Sequence, residues 1–209
     1  MNAGRFLSLE GGEGAGKSTQ ARALAAALEA RGLETVVTRE PGGSEGAEAI
    51  RALLMQGDAG RWSARTEALL FAAARADHVE RVIRPALAAG RWVICDRYLD
   101  SSRAYQGSAG QVEDAAILAL HAFGAEGLLP DRTFLLALPA DIGAARAAGR
   151  DGQAADRFAA RDTGFHAAVA AAFDGFAARE PARFRRIDAT QPPATVTQAM
   201  LDALADWLP

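Results

Sequence analysis

The sequence of 209 residues predicts an α/β fold, with a five-stranded, mainly parallel sheet flanked by helices in three layers. Two observations support this class. Short apolar or β-rich runs alternate with long stretches of helical periodicity, and polar residues cluster directly after several of the runs. The predicted strands are Arg5 to Leu9, Glu34 to Thr38, Trp92 to Cys95, Thr133 to Leu138 and Phe184 to Asp188.

The first predicted strand leads through a glycine-rich loop into a predicted helix. The loop fits the pattern G-x-x-x-x-G-K-[ST], whose backbone N–H groups surround a phosphate at a helix N-terminus. In such a loop Lys17 reaches the outer phosphates and the Ser18 hydroxyl ligates Mg²⁺. We therefore expect a nucleotide-binding segment comprising Gly11, Gly12, Glu13, Gly14, Ala15, Gly16, Lys17, Ser18 and Thr19.

Lys17 is the only lysine among the 23 basic residues, and all the others are arginine. An ammonium group is a compact point charge, whereas a guanidinium is a planar fork. A chain that uses arginine everywhere else and lysine here indicates a need for the ammonium at this position.

Composition narrows the classes of protein. The net charge of −3 argues against broad, sequence-independent binding of nucleic acid. The lone cysteine, Cys95, lies in an apolar run and is expected to pack as a small apolar residue. The sequence shows neither a signal segment nor an apolar run long enough for a membrane helix. We expect a single soluble, cytoplasmic domain spanning residues 1–209.

The second and third predicted strands are each followed by residues that bear chemistry, within 38–43 and 96–106. Arg97 lies one residue past a strand end, where its guanidinium can bind a phosphate with two parallel hydrogen bonds. A salt bridge to Asp96 or a contact with a helix end is the alternative for Arg97. Asp96 itself is a candidate partner for the hydration shell of Mg²⁺ or for nearby arginines, or a purely structural acceptor.

Two pairs of residues are spaced four apart, which places each pair on one side of a helix. Phe71 and Arg75 combine an apolar ring with a donor fork, although periodicity alone favours a core position for Phe71. Ser102 and Gln106 offer a hydroxyl and an amide that can satisfy the edge of a pyrimidine ring.

Taken together, these motifs resemble the thymidylate kinase family. The signature is a strand ending in Asp96-Arg97-Tyr98, followed by serine, Ala104-Tyr105 and Gln106 at the family's offsets. The resemblance continues through 69–75 and 187–192 and covers essentially the whole chain. It implies a phosphate-loop nucleoside monophosphate kinase fold and transfer of the γ-phosphoryl group of ATP to dTMP, with Mg²⁺.

The resemblance also implies roles for the acceptor site. Arg97 binds the acceptor monophosphate, Phe71 stacks on thymine, Arg75 donates to a base carbonyl, and Tyr105 packs against the deoxyribose. Glu13 and Glu40 are candidates to accept a hydrogen bond from the sugar 3′-hydroxyl. Arg51 is a candidate phosphate contact or, equally, a solvated helix arginine.

A mobile lid is predicted at about 146–158, where turn formers and charges interrupt helical stretches. Some members of the family carry a catalytic arginine in the phosphate loop and others carry it in the lid; the loop position here is Gly14. Arg150 is therefore the first candidate for stabilising the transition state, with Arg146 and Arg157 next. Many family lids continue Asp-Arg-x-Glu, whereas this chain has Ala159 where the glutamate would be.

The acceptor phosphate is already anionic, so the reaction needs no general base, and His78, His121 and His166 are expected to be surface or packing residues. Two alternatives stay open at this point. One is a kinase for another nucleotide or a deoxynucleoside, and the other is a nucleotide-dependent switch or binding protein. The family is usually dimeric, and the apolar helices Glu67 to Val82 and Ala115 to Phe123 are candidate interface elements.

Overall fold

The computed structural model describes residues 4–58, 60–148, 157–158 and 161–208. Its sheet has five parallel strands in the order β2-β3-β1-β4-β5. The predicted α/β class is therefore confirmed. The strands are β1 (Phe6–Glu10), β2 (Thr35–Arg39), β3 (Trp92–Asp96), β4 (Arg132–Ala137) and β5 (Phe184–Asp188).

Helices connect the strands. Within the described part of the chain they are α1 (Lys17–Glu29), α2 (Glu45–Met55), α3 (Ala64–His78), α4 (Arg84–Ala88), α5 (Leu99–Ser102), α6 (Asp114–Gly124), α7 (Ala140–Ala148), α8 (Thr163–Arg179) and α9 (Pro193–Asp202). Two π-helical segments, Val79–Ile83 and Arg103–Ser108, continue α3 and α5. Among the described helices, none combines the length and the apolar character that crossing a membrane requires.

The central strands are buried on both faces, which makes the three layers. Successive side chains of a strand point to opposite faces. On β1, Leu7 and Leu9 therefore pack with α1 and α9, whereas Phe6 packs on the other side. That second side also receives Cys95, which is fully buried as expected, and burial raises the pKa of its thiol. Near-continuous apolar runs are typical of such doubly covered strands.

The register brings the carboxyl ends of three neighbouring strands together. Leu9 of β1 and Arg39 of β2 both pair with Asp96 of β3. The phosphate loop follows β1, and the segment bearing Arg97 follows β3, so both emerge at one edge of the sheet. Ligands of open α/β sheets bind at this edge.

Candidate functional site

The phosphate loop connects β1 to α1 and leaves the start of the helix open. Gly16 precedes the helix with a φ of 84° and, being glycine, makes no side-chain hydrogen bond that caps the helix. Positive φ values also occur at Gly11 and Gly14. Because glycine adopts this region without steric cost, the loop can turn its N–H groups toward a common centre. This is the geometry of an anion site at a helix N-terminus.

The Lys17 ammonium is held inside the loop. Nζ donates to the carbonyl oxygens of Gly11 at 3.1 Å and Gly12 at 2.7 Å, and the residue is 7% exposed. Burial, and then the positive charge of Arg97, lower the pKa of Lys17 to about 8. A buried cation whose charge is disfavoured gains from a nearby anion, so the site is electrostatically prepared for phosphate.

Ser18 lies in the first turn of α1, and its hydroxyl donates to the Asp96 carboxylate at the end of β3. Both groups supply the hard oxygen that Mg²⁺ prefers. Among the described residues there is no group of three or more histidine, cysteine or acidic side chains that could hold a metal ion. Mg²⁺ at phosphate sites takes one or two protein ligands, together with waters and substrate oxygens, so this donor set fits it.

Arg97 adopts a left-handed backbone conformation, with a φ of 69°. For a residue other than glycine this costs of order 1–3 kcal/mol and is typical of functional sites. The guanidinium donates from Nη1 to the Gly11 oxygen and to Ser101 Oγ, both at 3.1 Å, and from Nη2 to Glu13 Oε1 at 2.7 Å. Burial opposes its charge, but Tyr105, Glu13 and Asp96 outweigh this effect and raise the pKa of Arg97.

Glu10, the last residue of β1, is hydrogen-bonded to the segment that follows β3. Its Oε1 accepts from the Tyr98 backbone N–H at 2.8 Å, and its Oε2 accepts from the Ser101 hydroxyl at 2.6 Å. Burial, and then the charge of Asp100, raise the pKa of Glu10 to about 8. Since Ser101 also contacts Arg97, Glu10 fixes the segment that carries this arginine.

A buried polar pair lies beside Arg97. Arg75 Nε donates to Glu40 Oε2 at 2.7 Å, and Arg75 Nη2 donates to Ser102 Oγ at 2.8 Å. The Arg75 guanidinium also lies 5.2 Å from the ring centroid of Tyr98. Three residues that sequence reasoning proposed for one pocket, Arg75, Glu40 and Ser102, are therefore in direct contact.

Aromatic rings from α3, the π-helical segment and Phe158 pack near this polar cluster. Phe71 of α3 meets Phe158 edge to face, with centroids 5.7 Å apart, and Tyr105 lies 6.3 Å from the same Phe158 ring. The Arg97 guanidinium lies 5.0 Å from the Tyr105 ring, and the Tyr105 hydroxyl donates to Glu13 at 3.4 Å. Phe71 and Tyr105 thus pack against the same ring, and Tyr105 lies next to the arginine predicted to bind phosphate.

Gln106, in the π-helical segment Arg103–Ser108, contacts a different neighbour from Ser102. Its Nε2 donates to Glu67 Oε2 at 3.2 Å. The other oxygen of Glu67 accepts from Arg157 and, at 3.2 Å, from Arg161. Arg157 Nε and Nη1 are buried without a partner among the described residues. Glu67 therefore joins Gln106 to Arg157, which belongs to the segment that the sequence predicts as a lid.

The remaining candidates are more scattered. Arg146 of α7 donates to the Ala189 carbonyl oxygen at 3.0 Å, and Arg51 donates to the Pro41 oxygen at 2.8 Å. Thr19 lies exposed in the first turn of α1. Arg150, the first candidate for a catalytic arginine, lies outside the described residues.

The packing around Gly14 leaves no space for a larger side chain at this position of the loop. Gly14 has a φ of 70°, and an added Cβ would overlap the carbonyl oxygen of Gly143 in α7. A Cβ on Gly143 would in turn lie 2.6 Å from the Glu13 oxygen. The phosphate loop and α7 thus pack backbone to backbone, and an arginine at position 14 has no room.

Comparison with known proteins decides the family. The chain matches the family described as thymidylate kinase over residues 9–200. It is 63% identical over 206 residues to a thymidylate kinase of Rhizorhabdus wittichii, covering 99% of both chains. It is 51% identical over 208 residues to one of Caulobacter vibrioides, covering 100% of this chain and 99% of the relative. This chain belongs to the thymidylate kinase family.

A solved structure agrees with that assignment. The thymidylate kinase from Ehrlichia chaffeensis superposes with a TM-score of 0.78 at 29% identity, covering 97% of this chain and 99% of that one. The predicted phosphate-loop nucleoside monophosphate kinase fold is confirmed. As a member of the thymidylate kinase family, the protein is a phosphotransferase of the nucleoside monophosphate kinase class, and its family's reaction is the phosphorylation of dTMP.

Sequence reasoning missed three buried residues of this thymidylate kinase site: Glu10, Glu67 and His78. A signal for two of them was present. Glu67, Phe71, Arg75 and His78 follow one another at spacings of four, four and three residues, which places them along one face of α3. Glu10 carried only the weaker signal of a carboxylate ending an apolar strand.

Proposed function

We propose that this protein transfers the γ-phosphoryl group of ATP to dTMP, giving ADP and dTDP, at the site between the phosphate loop and the Arg75 pocket. The observation that supports this most directly is the shared contact of Lys17 and Arg97, both of which donate to the Gly11 carbonyl oxygen. A phosphate held by Lys17 and one held by Arg97 would then be neighbours.

In this proposal the loop holds the triphosphate of ATP. The N–H groups of 11–19 surround the phosphates, and Lys17 moves from the loop carbonyls to the outer phosphates. Ser18 and Asp96 would hold Mg²⁺, directly or through water, and the ion would supply positive charge to the phosphate oxygens. Arg146, against the Ala189 carbonyl oxygen, lies on the donor side of the site.

The acceptor occupies the pocket beside it. Arg97 binds the dTMP phosphate, Phe71 stacks on the base, and Arg75 donates to a base carbonyl. Tyr105 packs on the deoxyribose. Glu13 or Glu40 accepts from the 3′-hydroxyl, while Ser102, Gln106 and Arg51 complete the polar lining. Burial of Arg75, Ser102 and Gln106 supports a dry pocket in which hydrogen bonds select the base strongly.

The chemical step needs alignment and charge neutralisation more than proton transfer. A dTMP phosphate oxygen attacks the γ-phosphorus, a new P–O bond forms, and the bond from the γ-phosphorus to the bridging oxygen of ADP breaks. Lys17 offsets negative charge on the phosphates of ATP, and Arg97 offsets negative charge on the phosphate of dTMP. A further arginine is needed to stabilise the transition state, and we assign it to the lid because Gly14 leaves no room for it in the loop. Arg150 is the first candidate, with Arg146 and Arg157 next.

The proposed lid, at about 146–158, excludes water when it closes over the phosphates. Contacts of its described end support this role. Phe158 packs against Phe71 and Tyr105, and Arg157 contacts Glu67. The lid thus reaches the residues that we assign to dTMP.

We also propose that two copies of the chain associate through α3 and α6. Leu69 and Leu118 are 56% and 39% exposed, and Phe123 is 91% exposed, so these helices present apolar side chains to solvent. A second copy that covered them would bury the apolar area. Sedimentation of wild type as a dimer and of Phe123→Glu as a monomer supports this interface; a wild-type monomer contradicts it. Cytoplasmic location and the lack of nucleic-acid binding stay predictions from composition.

A panel of acceptors tests the proposed function. ADP release from ATP is measured by a coupled assay with dTMP, dUMP, dCMP, dGMP, AMP and thymidine. We expect dTMP to give the highest kcat/KM. Faster turnover of dCMP or thymidine would instead make the protein a kinase for another acceptor.

A further inference from the structure

His78 at the end of α3 is completely buried, with 0% of its surface exposed. Its imidazole lies between two residues that follow one another closely at the end of β2. Nε2 lies 2.7 Å from the Thr38 hydroxyl oxygen, and Nδ1 lies 3.1 Å from Glu40 Oε1. The expectation of a surface or packing residue is therefore incomplete, because both ring nitrogens make directed polar contacts.

Glu40 is shared between His78 and the arginine of the acceptor pocket. Its Oε1 contacts His78 while its Oε2 accepts from Arg75 Nε at 2.7 Å. Arg75 in turn donates to Ser102. A continuous buried chain thus runs from Thr38 through His78, Glu40 and Arg75 to Ser102, joining β2, α3 and α5.

The chemistry of these partners sets the tautomer of His78. An ionised Glu40 carboxylate can only accept, so Nδ1 must carry the proton and donate. When the ring is neutral, Nε2 accepts from the Thr38 hydroxyl. Arg75 and Glu40 form a buried ion pair, and the His78 Nδ1–H satisfies the second carboxylate oxygen.

The neighbouring loop is shaped around the same contact. Gly43 has a φ of 90°, and an added Cβ there would overlap both the Thr38 hydroxyl and the His78 ring. The chain after Glu40 therefore closes directly over the imidazole. Such close packing leaves His78 and Glu40 little freedom to change rotamer.

We propose that His78 is a positioning residue for the dTMP site: it holds the Glu40 carboxylate in the orientation that aims Arg75 at the pyrimidine. His78 acts through Glu40 and makes no contact with substrate. The inference rests on the proposed function, because it assigns Arg75 to the base of dTMP. Loss of His78 should therefore weaken dTMP binding and leave the ATP site, on the other side of Arg97, largely unaffected.

Three substitutions at position 78 separate positioning from packing. His78→Asn places an amide nitrogen near the position of Nδ1 and can still donate to Glu40. His78→Gln places its amide near Nε2 and keeps only the Thr38 contact, and His78→Leu keeps neither. A hydrogen bond to a buried charged group contributes enough that losing it should raise the KM for dTMP about tenfold to a hundredfold.

The expected order of KM for dTMP is wild type, then His78→Asn within a few-fold, then His78→Gln and His78→Leu together at the high end. The KM for ATP should stay within about twofold in all of them. His121→Asn is the matched control, since His121 is a buried histidine whose Nε2 contacts the Leu128 carbonyl oxygen rather than Glu40. It should lower the melting temperature without a selective rise in the KM for dTMP.

Each outcome is decisive. Wild-type protein that fails to phosphorylate dTMP overturns the proposed function itself. Normal wild-type turnover, with the same KM for dTMP in His78→Asn, His78→Gln and His78→Leu, overturns the role of His78 alone. Equal rises in the KM for dTMP and for ATP also overturn it, since they indicate general damage. If His78→Leu does not fold, the comparison of His78→Asn with His78→Gln gives the same decision.

Discussion

Lys17 Nζ and Arg97 Nη1 each lie 3.1 Å from the same oxygen atom, the carbonyl oxygen of Gly11. One cation belongs to the phosphate loop after β1 and the other to the segment after β3. Because neighbouring parallel strands end at one edge of the sheet, their following segments meet there. The fold thus places the two cations that we assign to the donor and acceptor phosphates around a single backbone group.

Proximity of these cations predicts proton uptake when ATP binds. Burial and Arg97 lower the pKa of Lys17 to about 8, and an anionic phosphate should restore it. Calorimetry in buffers of different ionisation enthalpy should show uptake of about half a proton per ATP near pH 8 and less at lower pH. Lys17→Arg should remove the part of the uptake that Lys17 contributes, because arginine stays charged. Unchanged uptake in this variant would assign the proton to another group, such as Glu10, whose pKa is also about 8.

The same lowered pKa has a consequence for the stability of the free protein. Between about pH 8 and the ordinary lysine value of 10.5, the unfolded state binds more protons than the folded state. The Lys17 contribution to the free energy of unfolding therefore rises with pH across this window, and below it the cost of burying the charge is present in full. Lys17→Ala should lose this part of the slope.

Backbone packing of the phosphate loop against α7 predicts unequal effects of two alanine substitutions. Gly14→Ala places a methyl group against the Gly143 carbonyl oxygen at a positive φ, and should lower the free energy of unfolding by about 1–3 kcal/mol. Gly12→Ala, in the same loop, meets no atom within 4 Å and should cost less than about 1 kcal/mol. Urea unfolding without nucleotide measures both, and equal losses would contradict the packing argument.

Arg97 should not be replaceable by lysine. Its two terminal nitrogens serve different partners, Gly11 with Ser101 on one side and Glu13 on the other. A lysine lacks the planar fork, so Arg97→Lys should lower kcat/KM for dTMP about a hundredfold and change the KM for ATP only a few-fold. Arg22→Lys, on the exposed face of α1, is the control. Near-normal kinetics of Arg97→Lys would remove Arg97 from the phosphate site.

Glu67 should control how firmly residues 157–158, at the carboxyl end of the proposed lid, are held. Glu67→Gln removes the carboxylate that pairs with Arg157 and Arg161 in a buried setting. Since the arginines can regain water if the lid opens, we expect local opening rather than global unfolding. Amide exchange near Phe158 should accelerate about tenfold or more with little change in melting temperature.

The matched control for that experiment is Glu126→Gln. Glu126 pairs with Arg84 at 2.9 Å, but its side chain is 77% exposed, so the loss of this pair should change little. If exchange near Phe158 stays the same in Glu67→Gln, then Glu67 does not hold the lid.

Local patterns were sufficient to predict most of the fold. The predicted β5 has the same bounds as the observed strand. The predicted β1, β2 and β4 each differ from their own observed strands by one residue at each end. Apolar runs and glycine turns are short-range signals, which is why they locate strands and the phosphate loop from sequence. These signals do not predict the order of the strands in the sheet, because that order depends on contacts between distant segments.

The polar network around the site was the part that the sequence did not reveal. Glu67 and Arg157 are ninety residues apart, and Glu10 and Ser101 ninety-one, so neither contact has a local pattern. The sequence predicts only a surface or packing role for His78, because a histidine on a helix carries no sign of its partners. Only the fold shows that Thr38 and Glu40 lie at its two nitrogens.

The fate of the γ-phosphoryl group is the most direct test of the central claim. Protein is mixed with ATP labelled at the γ-phosphate, with and without dTMP, and the labelled products are separated. We expect dTMP to divert the label into dTDP, with one dTDP formed for each ADP. Label released as inorganic phosphate at a rate that dTMP does not change would contradict phosphoryl transfer at this site.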